Sequence, residues 1–495
     1  MSTVTTGLDA FAPARAMLDA LRERQISSRE LVELHLARIE RHNAALNAIV
    51  VPGDDPLGAA EQADEARARN DGRALLGLPV TLKESMNVPG LPTTVGVLDF
   101  KEFRAGDLGA VPERVLGAGA VLLGKTNVPP MLADWQATNP IYGRTVNPWN
   151  AALTPGGSTG GGAAAVAAGL SPLEFGSDIG GSIRVPASFC GIFGHKPSET
   201  TVPRSGQFPR PSVPNAGSVM GVQGPLARTA ADLELALRVI AGPEVGEDVA
   251  WRLELPLPRH ESLAAFRVAV MPRLDWLPVS AEILGVLDTL ASRLSRAGAT
   301  VRLAAPETFG DLREHHALYM SVLSAVTSPR LSREDRERQA KAAEINRELP
   351  WATAKAAAWS AGVAEWLSMH ERREHYRAAY RAFFRDWDIL LAPITLCTAF
   401  PHLDLPWPPP QTPGPITMVD IDGQLHPYED QLVYPALATL SGQPATAFPV
   451  GLSKDGMPIG LQAIGPYLED FTPIRFAAYA AEEMGGLVRP PGFDT

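Results

Sequence analysis

Helix-like and strand-like segments alternate through the first half of this 495-residue chain, and the alternation predicts an α/β layer architecture. Two further observations support it. Gly77 to Leu82, Ala120 to Gly124 and Asp388 to Pro393 are apolar runs with little polar alternation, as expected of strands buried on both faces. Two glycine-dense stretches, Thr154 to Gly169 and Phe175 to Pro186, interrupt the pattern where backbone must turn sharply or approach another group closely.

In chain order, Phe11 to Arg24 reads as an amphipathic helix. Ser27 and Ser28 offer an N-cap, with Glu30 close behind, for a second helix from about Arg29 to His42. Asn47 to Val51 reads as a short strand and Pro56 to Asn70 as an alanine- and charge-rich helix. Val111 to Gly119 is helical and leads into the Ala120 strand. From Leu132 to Pro155 the chain is irregular, with turns at Asn139-Pro140 and Asn147-Pro148. A small-residue helix, Gly161 to Ala168, and a strand, Leu173 to Gly176, follow. Pro203 to Asn215 is proline-rich and expected to be an ordered surface loop; Thr229 to Ala241 is helical with Asp232 in its first turn.

In the second half, Arg267 to Met271 and Ala299 to Leu303 are strand-like around a helix from Ser280 to Ala297. A helical, arginine-rich region spans about Phe309 to Asp386, and Pro401 to Pro415 is a proline-dense loop. Ala445 to Ile464 reads as a hairpin turning at Lys454-Asp-Gly456, with a helix from Thr472 to Met484 behind it. No repeat and no sharp compositional boundary divides the chain, so one large domain is expected.

Bulk chemistry excludes several functions. A formal net charge of −11 argues against a nucleic-acid partner. Two cysteines, Cys190 and Cys397, support neither a disulfide framework nor a cysteine-based zinc site. The N-terminus lacks a basic start followed by an apolar stretch, and no window reaches the roughly 18 apolar residues of a membrane span. A cytoplasmic protein with no membrane partner is the expectation.

Three short motifs carry the chemistry. Gly156-Gly-Ser-Thr-Gly160 fits a Gly-x-Ser-x-Gly nucleophile elbow formally, but loop rather than strand precedes it. A dinucleotide fingerprint fails for the same reason, and no Gly-Lys-Ser/Thr follows for a phosphate loop. By itself the stretch is also consistent with a tight turn that does no chemistry. Asp178-Ile-Gly-Gly-Ser-Ile-Arg184 places two glycines directly before Ser182, so several backbone N–H groups can converge on one point, as an oxyanion requires. The third motif is Lys83, an amine ending an apolar strand in a chain poor in lysine; taken alone it reads as surface-exposed, whereas a desolvated lysine has a lowered pKa and can act as a neutral base, which arginine could not match. His315, His316, His370 and His375 form no His-Glu-x-x-His metal motif, and His195 reads as a packing residue. Trp351, Trp359, Trp366, Tyr376, Tyr380 and Trp387 recur at near-helical spacing, a core stripe that could in part wall a pocket.

These residues, together with Gly124-Lys-Thr-Asn-Val-Pro129, Tyr142 to Pro148, Cys190 to Pro197 and Gly224-Pro-Leu-Ala-Arg228, resemble the amidase signature family over nearly the whole chain. The resemblance implies a single 1–495 domain with a central mixed, mostly parallel sheet of about eleven strands flanked by helices. Its signature core would span about 75–230, and a variable, substrate-side helical region about 309–386. It also implies a Ser–cis-Ser–Lys triad: Ser182 the nucleophile, Ser158 the bridging serine and Lys83 the base. Backbone N–H groups of Ile179, Gly180, Gly181 and Ser182 would form the oxyanion hole. Leu132, Trp135, Gly157, Thr159 and Gln207 would contact substrate. Thr159 departs from the serine or glycine usual in the family. No metal and no organic cofactor are implied. The reaction would be hydrolysis of small aryl or alkyl amides, with carbamates (urethanase-like chemistry) or esters alongside. Alternatives are the glutaminase-type component of a tRNA-dependent amidotransferase, which would require partner proteins, and a catalytically silent binding protein. The Pro203 to Ser218 loop looks more like that of stand-alone amidases. A homodimer is compatible with the sequence, which does not determine oligomeric state.

Overall fold

The computed structural model describes residues 8–214, 219–405, 407 and 416–494. Its strands are β1 (Ile49–Pro52), β2 (Pro79–Lys83), β3 (Val121–Thr126), β4 (Thr138–Asn139) and β5 (Gly143–Arg144). They continue as β6 (Leu173–Asp178), β7 (Phe193–Lys196), β8 (Val222–Ala227), β9 (Arg267–Val270) and β10 (Thr300–Leu303). The last five are β11 (Ile389–Pro393), β12 (Met418–Ile421), β13 (Gln424–Pro427), β14 (Ala445–Leu452) and β15 (Pro458–Ile464).

Eleven of these form one mixed sheet in the order β1-β3-β2-β6-β8-β7-β14-β15-β11-β9-β10. Parallel pairing joins β3, β2 and β6 at one end and β11, β9 and β10 at the other; the six remaining junctions are antiparallel. The pairs β4–β5 and β12–β13 are separate two-stranded ribbons. The expected α/β domain with an eleven-stranded mixed sheet is therefore present.

Alternation along the strands divides the core into two layers. Val268, Val270, Ile389 and Leu391 face a layer that includes the helices Ala14–Arg22, Ala230–Ile240, Ala281–Arg296 and Phe471–Glu483. Ala269, Leu390 and Ala392 face the opposite layer, with the helices Arg184–Cys190, Val363–Phe383 and Val433–Ser441. On β2 the same rule sends Val80 and Leu82 into the first layer. Thr81 and Lys83 must then point to the other face, toward the helix Gly160–Ala167.

Several boundaries differ from the expected ones. The first helix begins at Ala14 rather than Phe11, because its free N–H groups are capped from afar: Asp232 accepts from Ala14 N at 3.0 Å and Arg15 N at 2.9 Å. The second runs Ser28–Leu46; Ser27 and Glu30 form a reciprocal capping box, and Asn47 closes the far end in the left-handed region. The strands β7, β8, β12 and β13 and the helices Arg184–Cys190 and Val433–Ser441 had no counterpart in the expected order of elements. In β7, His195 and Lys196 are polar but fully buried, which hides the strand from a hydrophobic pattern. The loop at 203–214 is ordered as expected, packed along 85–87; its end at Asn215 lies outside the described residues, as do 406 and 408–415 of the proline-dense loop. No helix among the described residues is long and apolar enough to cross a membrane.

Arg228, at the end of the Gly224-Pro-Leu-Ala-Arg run, ties the N-terminal segment to the sheet. Its buried guanidinium donates to the carbonyls of Ala10, Phe11, Ala12, Val166 and Ser171 at 2.9–3.2 Å. Replacing it with methionine leaves buried carbonyls unpaired, each costing about 1–3 kcal/mol. Arg228→Met is therefore expected to lose at least about 3 kcal/mol in urea denaturation; an unchanged midpoint would show that water replaces the guanidinium freely.

Candidate active site

Lys83 is the last residue of β2, in register with Thr126 of β3, and is fully buried. Its Nζ lies 2.7 Å from Ser158 Oγ, 2.9 Å from Thr159 Oγ1 and 3.1 Å from Ser177 Oγ. Burial pushes its pKa down to about 7, against the opposing pull of the Glu174 and Asp178 carboxylates. Glu174 is itself buried on β6, accepts from Thr126 Oγ1 at 2.7 Å, and is pushed up to about 7 by burial.

Ser158 precedes the helix Gly160–Ala167, and the Gly157–Ser158 peptide is cis. Gly157 is sterically obligatory: a Cβ there would lie 2.4 Å from Gln136 O and 2.6 Å from Asp134 O. Thr159 N donates to Ser182 O at 3.1 Å, so the two glycine-rich turns are stitched together beside Lys83. Ser182 is 5% exposed. Among the described residues its hydroxyl makes no hydrogen bond, so Ser158 and Ser182 are juxtaposed by the backbone without a hydrogen bond between their hydroxyls.

The turn before Ser182 is wrapped around Asp178. That carboxylate accepts from Gly181 N at 2.9 Å and Ile183 N at 3.1 Å, and from Arg184 Nε and a terminal guanidinium nitrogen at 3.0 Å each. Both partners of this ion pair are fully buried, and Arg184 also donates to Pro435 O, Gln462 Oε1 and Thr439 Oγ1. Burial would raise the Asp178 pKa, but the Arg184 guanidinium outweighs it and holds the carboxyl below its ordinary range. Gly181 turns the chain with φ +91°, which a side chain would strain.

Of the N–H groups expected at the oxyanion hole, that of Gly181 donates to Asp178. The N–H groups of Ile179, Gly180 and Ser182 have no acceptor among the described residues. The carbonyls of the same turn are anchored outward: Ile179 O accepts from Tyr319 Oη at 3.0 Å, and Gly180 O from Trp135 Nε1 at 2.8 Å.

Of the residues expected to contact substrate, two hydrogen-bond within the site. Trp135 is buried with its indole N–H on Gly180 O, and Thr159 is buried with its hydroxyl on Lys83. Gly157 is buried against the backbone of 134–136. Leu132 and Gln207 are half-buried: Leu132 sits in a 3₁₀ turn with φ +60°, and Gln207 bridges to Met86, three residues past Lys83. Neither touches the Lys83–Ser158 pair through a hydrogen bond. Ser177 and Tyr319 had no sequence signal of their own, because their partners lie on another strand or 140 positions away; Asp178 and Arg184 bound the motif before and after Ser182, but their pairing was not read from it. His195 has the packing role expected of it, buried between Thr446 and Asp470. The aromatic stripe is mostly core: Tyr376 and Tyr380 pack edge-on against Phe309, and Trp351 and Trp359 are buried.

Asp178→Asn strands the Arg184 guanidinium in the interior. Losing one partner of a buried pair costs about 3–5 kcal/mol, so the variant should unfold at markedly lower denaturant. Wild-type stability in that variant would mean the pair does not hold the turn.

Comparison with known proteins shows the family. The Amidase family model matches residues 30–472. An indoleacetamide hydrolase from Bradyrhizobium diazoefficiens is 30% identical, covering 95% of this chain and 86% of its own. The A component of a glutamyl-tRNA(Gln) amidotransferase from Synechococcus sp. (strain CC9605) is 33% identical, covering 91% and 92%. A bacterial aryl acylamidase of the amidase signature family superimposes with a TM-score of 0.78 at 25% identity, covering 96% of each chain. With the family model spanning most of its length, the chain belongs to the amidase signature family and is an amide-hydrolysing enzyme.

Proposed function

We propose that this enzyme hydrolyses the carbon–nitrogen bond of small aryl or alkyl amides through an acyl-enzyme on Ser182. The observation that carries the reading is the Lys83 amine, buried and 2.7 Å from Ser158 Oγ beside a turn with unpaired N–H groups. The Lys83 amine donates to Ser158, Thr159 and Ser177; once neutral it keeps two N–H donors for Thr159 and Ser177 and turns its lone pair to the Ser158 hydroxyl. Ser158 passes a proton to Lys83 and, with its hydroxyl closed to hydrogen-bond distance of Ser182, takes one from Ser182 as Ser182 Oγ bonds to the carbonyl carbon. The carbonyl electron pair moves to oxygen and is held by the N–H groups of Ile179, Gly180 and Ser182. Collapse breaks the C–N bond, the amine leaves with the proton returned through Ser158, and water cleaves the ester by the same relay.

An apolar cluster beside the turn supports an aryl or alkyl substituent. Ile179, Val219 and Leu432 are partly exposed apolar residues packed with Met220, Tyr319 and Trp351. The similarity to an aryl acylamidase and an indoleacetamide hydrolase supports the same class. Carbamates fit the mechanism equally, since their carbonyl passes through the same oxyanion. The similarity to the amidotransferase component is of the same order as that to the indoleacetamide hydrolase and separates nothing. Hydrolysis of anilides by the isolated chain would favour the stand-alone enzyme, and partner-dependent glutaminase activity the amidotransferase component.

Ser182→Ala should remove anilide hydrolysis and labelling by a fluorophosphonate probe while the fold survives; continued turnover would sink the assignment. The pH dependence has a definite sign. A charged Lys83 cannot accept a proton, so the rate is low in acid and climbs as pH passes through about 7. A profile flat from about pH 5 to 9 would exclude a lysine base.

A further inference from the structure

We propose that Tyr319 is a positioning residue that aims the Gly180 N–H at the reacting oxygen, so that a helix outside the signature core sets the oxyanion site. This rests on the reading of Ser182 as nucleophile. A trans peptide is planar, with its C=O and N–H pointing in opposite directions. Whatever holds the Ile179 carbonyl therefore also sets the direction of the Gly180 N–H.

The two peptides in the middle of this turn are held differently. The one joining Gly180 and Gly181 is fixed at both ends, by the Trp135 indole on its carbonyl and by Asp178 on its N–H. The one joining Ile179 and Gly180 has a single anchor among the described residues, the Tyr319 hydroxyl at 3.0 Å from Ile179 O. Its N–H has no acceptor there. The doubly fixed peptide has no donor to spare, and the singly fixed one has.

Tyr319 is suited to the task. It is fully buried on the helix Arg313–Thr327, among Met220, Leu318, Trp351 and Leu440. Its hydroxyl oxygen would sit 3.2 Å from a Cβ built on Gly180, so it lies flat against the turn. Burial, with the Asp178 carboxylate adding to it, pushes the phenol above its usual range.

The test begins with Tyr319→Phe, which keeps the ring and deletes the donor. Loss of a full oxyanion donor costs about 100- to 1000-fold, so a misaimed one should cost about 10- to 100-fold in kcat. KM should not change. A trifluoromethyl ketone, which mimics the tetrahedral adduct, should weaken by the same factor, and the pH midpoint set by Lys83 should not move. If Tyr319→Phe does not fold, p-methylphenylalanine at position 319 fills the hydroxyl's place and is measured instead. p-Aminophenylalanine at that position restores an N–H donor and should recover most of the lost rate. Full kcat in the donor-free variant, or no recovery with the amine, would overturn the proposal. Absent fluorophosphonate labelling of wild-type Ser182 would instead overturn the nucleophile assignment beneath it.

Discussion

The contact between Lys83 Nζ and Ser158 Oγ is the constraint that the surrounding structure serves. An ammonium ion in a dry interior is costly, and an amine in water is almost wholly protonated at neutral pH. Burial pushes the Lys83 pKa down to about 7, and three hydroxyls meet its hydrogen-bonding capacity. That requires a strand ending inside the protein, closed by strands on both sides and by a helix above. β2 between β3 and β6, under the helix Gly160–Ala167, is such a strand.

A second buried charge system keeps the turn before Ser182 in shape. Asp178 and Arg184 pair in the interior, where desolvation offsets much of what attraction supplies. Their contribution is geometric. One carboxylate gathers the Gly181 and Ile183 N–H groups and a guanidinium that is itself tied to β15 and to the helix Val433–Ser441. The turn is thus locked to the far half of the sheet, and its remaining N–H groups are left unspent because those that Asp178 can reach are already used.

The helices after Phe309 add a third layer of control. Tyr319 and Trp351 come from that region and pack in the apolar cluster with Ile179, while Trp135 holds the next carbonyl of the same turn.

Much of this was legible in the residues themselves. The two glycine-rich turns, the interior strand ending on Lys83, the capping box at Ser27 and the α/β alternation are local signals, because glycine, apolar runs and caps act within a few residues of themselves. Tertiary structure decided the rest. Asp232 caps a helix 218 positions away, His195 and Lys196 form an interior strand despite their polarity, and Gly181 spends its N–H on Asp178. Trp135 holds Gly180 O and Thr159 holds the lysine. Each of these depends on which distant group arrives to satisfy a buried donor or acceptor. A linear sequence names such groups but does not bring them together.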